Sequence, residues 1–159
     1  ETPLKSETPR AHAERLAAAK ACAVAERWER EPALILAADT VVALGRRILP
    51  KAESDEDVLA CLKRRAGRAH QVITAVALLT PDGALRRRTV LTRVTFCRFD
   101  TAGMETYVQS REGIGKAGGY AIQGRAETFV RRLNGSWSNV VGLPLAETVA
   151  LLRGNSYLS

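Results

Sequence analysis

The chain is expected to fold as a single α/β domain, a mixed, twisted sheet flanked by helices. Three observations predict this. Its 159 residues are enough for one core, an alanine-rich helical stretch is followed by a valine-rich apolar run, and strand-like and helix-like segments then alternate with no linker or repeat between them. Residues 9–27 read as a helix, because Ser6 or Thr8 can cap it, Pro9 suits a first turn and alanines dominate. Residues 34–44 form a near-continuous apolar run, the pattern of a strand buried on both faces, interrupted by Asp39 at a strand end facing a cleft. A hairpin back from it leads through Ile48-Leu49-Pro50 to Lys51. Ser54 caps a second helix whose first turn carries Asp55, Glu56 and Asp57, complementing the helix dipole. Residues 71–80 and 87–99 read as strands joined at Pro81-Asp82-Gly83, and residues 101–110 as a short helix. Residues 128–133 and 138–141 are expected to be two strands around the turn signal Asn134-Gly135, before a last helix from Pro144 to about Arg153.

Composition narrows the function. A hydrophobic fraction of 46% fits a globular chain, and no apolar run approaches the ~18 residues of a membrane span. Cys22, Cys61 and Cys97 lie too far apart for C-x-x-C chemistry and give no disulfide framework, so a reducing cytoplasm is expected and the sequon at Asn134 is idle. The sequence opens at Glu1-Thr2-Pro3 without a methionine, so a preceding N-terminal piece is expected. The net charge of +7 suits an anionic partner. The arginine clusters are scattered, and aromatics, at 5%, are not interleaved with them, which disfavours a nucleic-acid stacking platform.

The richest stretch runs from Gly115 to Gly124. Four glycines, Lys116 and Gln123 suggest an anion-binding loop with a polar selector, the plain alternative being a glycine-rich surface turn. Gly113, Gly115 and Gly118 satisfy G-x-G-x-x-G, but they follow the polar end of a helix, not a strand, and a Walker A loop fails at Ser110 and Ala117. Asp39, costly to bury unpaired, is a candidate base or metal ligand; otherwise it caps a turn or accepts backbone hydrogen bonds. Lys20 and Lys51 are candidate groove cations, and Glu7 is either a second acid or part of a helix start. His12 and His70 are isolated and lack metal-ligand spacing, with His70 more in keeping with a hydrogen-bonded structural role. No serine or cysteine sits in a nucleophile elbow, which argues against covalent catalysis.

These segments together resemble the Maf family of nucleoside triphosphate pyrophosphatases, related in fold to the inosine triphosphate pyrophosphatases. The resemblance spans essentially the whole chain. It rests on Glu7 with residues 14–21, Ala38-Asp39-Thr40-Val41-Val42, Leu49-Pro50-Lys51-Ala52, residues 67–74, Lys116 to Gly124, and Asn134 to Leu145. It implies a central cleft in which Asp39 is the proton acceptor and Thr40 and Gln123 set base preference. Glu7, Lys20, Lys51 and Lys116 then line the cleft, and a divalent cation, Mg²⁺ or Mn²⁺, is held by Asp39 and Glu7. Threonine after the aspartate, with Ile122-Gln123-Gly124, looks like the subgroup acting on dTTP and UTP rather than its 7-methyl-GTP sister.

There are departures from the family. The Ser-x-Ser-Pro-Arg-Arg loop that contacts phosphate, with its strand, would precede Glu1, while Ala52 and Ala75 replace a usual proline and glycine. The implied partner is a nucleoside triphosphate, with a homodimer left open and no membrane. The rival reading is a non-catalytic basic regulator of cell division or a nucleic-acid-binding module.

Overall fold

The computed structural model describes residues 2–28 and 32–157, so Glu1 lies outside it. Helix α1 (Pro9–Ala25) begins at Thr8, not Ser6; the Thr8 hydroxyl accepts from Ala11 N–H at 3.2 Å. Its small residues Ala13, Ala17 and Ala21 are fully buried against Val41, Ile73, Ala75 and Ala77, so the helix lies close on the sheet. Strands β1 (Ile35–Leu44) and β2 (Arg47–Leu49) form a hairpin whose turn uses Gly45 at φ +57°. Helix α2 (Asp55–Arg65) has the expected start, a capping box between Ser54 and Asp57. Strands β3 (Ala69–Leu79) and β4 (Leu85–Phe96) pair along eleven positions, from Ala69↔Thr95 to Leu79↔Leu85. After α3 (Thr101–Gln109) come the glycine-rich loop, a short 3-10 turn, β5 (Val130–Asn134), α4 (Trp137–Val141) and α5 (Leu145–Arg153).

The sheet order is β2-β1-β3-β4-β5. The α/β domain with flanking helices is as expected, but every pairing among the described residues is antiparallel, not mixed. The apolar run of β1 is covered on both faces, as its pattern predicts. Val41 belongs to the cluster under α1, and Val42 to the main core with Leu62, Phe96 and Tyr120.

Two further corrections follow. Asp39 sits in mid-strand, opposite Ala75, not at a strand end. Residues 138–141 are helical, because Ser136 Oγ accepts from Asn139 N–H at 3.2 Å and Gly135 turns the chain at φ +133°. Buried Asn139 then pins α4 to the sheet, its amide donating to Val72 O (3.1 Å) and Thr92 Oγ1 (2.9 Å). Tertiary hydrogen bonds override the strand propensity of Val140 and Val141. No helix among the described residues is long and apolar enough to cross a membrane.

Replacing Asn139 by Ala removes both of these buried hydrogen bonds between α4 and the sheet. We expect a loss of about 1–3 kcal/mol in urea unfolding; unchanged stability would show that α4 is not held this way.

Candidate active site

Strand alternation divides β1 between two surfaces. Asp39 turns towards α1, where its Oδ1 accepts from Lys20 Nζ at 2.5 Å; the carboxylate side chain is 6% exposed and the lysine 42%. Thr40 turns to the opposite face, where its hydroxyl lies 2.9 Å from that of Thr74. Strand β2 covers only Val42–Leu44, so among the described residues 35–41 have a strand neighbour on one side alone. Two cavities adjoin there. The larger, about 460 Å³, is lined by Asp39, Thr40, Lys51 and His12. The smaller, about 110 Å³, is lined by Thr40, Lys116, Gln123, Tyr120 and Val141. Thr40 and Ala117 border both.

The glycine-rich loop makes the shared rim by packing against residues 50–52. Gly115 N–H donates to Ala52 O (2.7 Å), Ala52 N–H to Lys116 O (3.2 Å) and Gly118 N–H to Pro50 O (3.1 Å), with Lys51 and Ala117 in an isolated bridge. These loop N–H groups are therefore spent within the protein and do not cradle an anion. Glycine is needed for closeness: a Cβ at Gly118, where φ is +66°, would stand 2.9 Å from Val42, and one at Gly113 2.5 Å from Gly119 O. The bridge sets Lys51, which lines the larger cavity, beside Ala117, whose neighbour Lys116 lines the smaller one.

Beneath the loop lies Arg65, wholly buried, which donates to Cys61 O at 3.0 Å and to Gly118 O. Its guanidinium stacks 4.8 Å from the Tyr120 ring, and burial lowers its pKa. Tyr120 Oη and His70 Nε2 are 2.7 Å apart, and burial, with Arg65 adding, pushes His70 down to about 3. His70 is thus a neutral structural residue, as expected.

Sequence reasoning missed Arg15 and His12. Glu7 is held by a bidentate Arg15 (Nε–Oε1 2.7 Å, Nη2–Oε2 2.9 Å), by Leu4 N–H (3.0 Å) and by His12 Nδ1 (2.8 Å). Arg15 also feels Asp39 electrostatically, so it links the two acids. The signal was present: His12 and Arg15 are three apart on α1, so they share a helix face, and His12 is buried.

Among the described residues no three His, Cys, Asp or Glu are grouped to hold a metal by themselves. Asp39 and Glu7 supply oxygen donors, and each already has a cation, Lys20 and Arg15. Such a set fits Mg²⁺ or Mn²⁺ only as a cation shared with phosphate, since Mg²⁺ needs just one or two protein carboxylates when phosphates and water complete its shell.

The Maf-like protein family matches residues 1–155. The chain belongs to this family. Its Maf-like relatives include a dTTP/UTP pyrophosphatase of Paramagnetospirillum magneticum, 56% identical over 154 residues, which are 97% of this chain and 80% of the relative. Those of Caulobacter vibrioides (55% identical; 99% and 80% covered) and Rhodospirillum rubrum (56%; 99% and 74%) carry the same description. Here the Maf-like chain joins Asp39, Thr40, Lys51, Lys116 and Gln123 around two adjoining cavities, with Lys20 bonded to Asp39, while Glu7, clamped by Arg15, lines neither.

The Glu7 clamp gives a pH signature. Arg15 first, then the Leu4 N–H, pull the Glu7 carboxyl far below its ordinary 4.5. The folded value lies below the unfolded one, so the stabilisation is complete above pH 4.5 and lost as pH falls through the lower, folded value. Glu7→Gln should therefore be less stable than wild type at pH 7, with the gap closing on acidification below that range. A gap independent of pH, followed by thermal melts, would remove the ion pair as its cause.

Proposed function

We propose that this chain hydrolyses dTTP and UTP between the α and β phosphates, releasing the nucleoside monophosphate and pyrophosphate. The observation that carries this is a buried, lysine-paired carboxylate at the larger of two cavities that share Thr40. The description common to the relatives supports the choice of substrate.

Asp39 takes the proton from the attacking water as its oxygen bonds to the α phosphorus and the bond to the bridging oxygen breaks. Lys20 holds that carboxylate in place through the bond from its Nζ to Oδ1. Lys51 and Lys116 on the common rim offset the repulsion between a highly charged triphosphate and the incoming nucleophile. A bound divalent cation supplies further charge neutralisation at the phosphates. Asp39 would hold it, with Glu7 joining only if Arg15 released one oxygen. The base then occupies the smaller cavity, where the Gln123 amide and the Thr40 hydroxyl meet the acceptor–donor–acceptor edge of thymine or uracil. A base with a different edge leaves buried polar groups unpaired, which discriminates more strongly than shape. Three free cysteines, Cys22, Cys61 and Cys97, support a reducing cytoplasm as its compartment.

The test is a substrate panel with product analysis. Monophosphate and pyrophosphate should appear in equal amounts, with dTTP and UTP favoured over dCTP, dATP and GTP by about 10- to 100-fold in kcat/KM. Gln123→Ala should flatten this ranking mainly by losing the good substrates. Release of orthophosphate, or a preference for 7-methyl-GTP, would overturn the assignment.

A further inference from the structure

The hydroxyl of Thr40 is one end of a hydrogen-bonded chain whose polarity is fixed. Thr74, which pairs with Thr40 across β1 and β3, is fully buried, and its Oγ1 lies 3.0 Å from the backbone carbonyl oxygen of Asn139. A carbonyl only accepts, so the single Thr74 proton is committed to it. The 2.9 Å contact between the two threonine hydroxyls then has one possible direction, with Thr40 donating to Thr74. Asn139 is itself immobilised by Val72 and Thr92, so the relay ends on a fixed acceptor. Thr40 is left with lone pairs only. Gly142, at φ +126°, leaves this hydroxyl uncrowded, since even a Cβ there would stand 3.6 Å away.

We propose that Thr74 acts as a positioning residue for specificity: by consuming the Thr40 proton, it makes Thr40 an obligate acceptor that reads the N3–H of a pyrimidine. Thymine and uracil carry a proton at N3, whereas cytosine presents a lone pair there and would face a second lone pair. The Gln123 NH₂ group then serves an exocyclic carbonyl. This deepens the function proposed above and rests on it.

The experiment compares kcat/KM for UTP and CTP in wild type, Thr74→Val and Thr74→Ser, with a thermal melt of each. Thr74→Val frees the Thr40 proton to donate to cytosine N3, so the UTP:CTP ratio should fall about tenfold, partly through a gain with CTP. Thr74→Ser retains the relay and should keep the wild-type ratio, which a purely structural role for Thr74 would not predict. Should Thr74→Val fail to fold, Thr40→Val decides: it removes the acceptor, so UTP should lose about tenfold while CTP changes little. An unchanged ratio in folded Thr74→Val, or equal losses for UTP and CTP in Thr40→Val, overturns the inference with the enzyme assignment intact. Wild-type protein that hydrolyses neither dTTP nor UTP overturns the assignment and, with it, this inference.

Discussion

A carboxylate in the middle of a packed strand has to be neutralised, and the rest of the site is arranged around how β1 meets that demand. An isolated buried charge would cost several kcal/mol, and breaking such a pair is costlier than replacing it. Lys20 reaches Asp39 from α1 while remaining 42% exposed, so the cation keeps part of its hydration. That contact is possible because Ala13, Ala17 and Ala21 let the helix lie close to the strand. A one-residue slip of β1 would exchange the faces of Asp39 and Thr40, setting the acid against Thr74 and losing the lysine. Register, ion pair and the division of labour between the two cavities are therefore one constraint.

The second organising feature is the use to which glycine is put. In the loop over residues 113–124 it allows tight backbone approach to Val42, Val58 and residues 50–52, and the loop donors close that interface. In the proposed function, charge selection is left to the side chains of Lys51 and Lys116 and base selection to Thr40 and Gln123, the residues that line the two cavities. Arg65 supports the loop from below through Gly118 and Tyr120, giving a rigid floor to the smaller cavity.

Much of this was legible in the sequence where one local rule sufficed. Ser54 with its three acids announced α2, Pro9 the first turn of α1, and Pro81-Asp82-Gly83 the turn between β3 and β4. Asp39 stood out because a charge inside an apolar run demands a partner, and its partner Lys20 had been singled out separately. What failed needed knowledge of distant contacts. The helix α4 depends on Asn139 reaching Val72 and Thr92, more than forty residues away in sequence. The antiparallel sheet was hidden because an antiparallel strand covered on both faces carries the hydropathy of a parallel one. Arg15 and His12 were overlooked because their meaning depends on Glu7 folding back beside α1, and the Thr40–Thr74–Asn139 relay spans three elements with no local signature.

The central claim is that Asp39 is the base, held by Lys20 at the larger of the two cavities. The most direct test replaces Asp39 with Asn, which preserves size and removes proton affinity, and measures dTTP turnover alongside the melting temperature. The account predicts a fall of about 10²–10⁴-fold in kcat with the fold retained. Near-normal turnover by folded Asp39→Asn would contradict it.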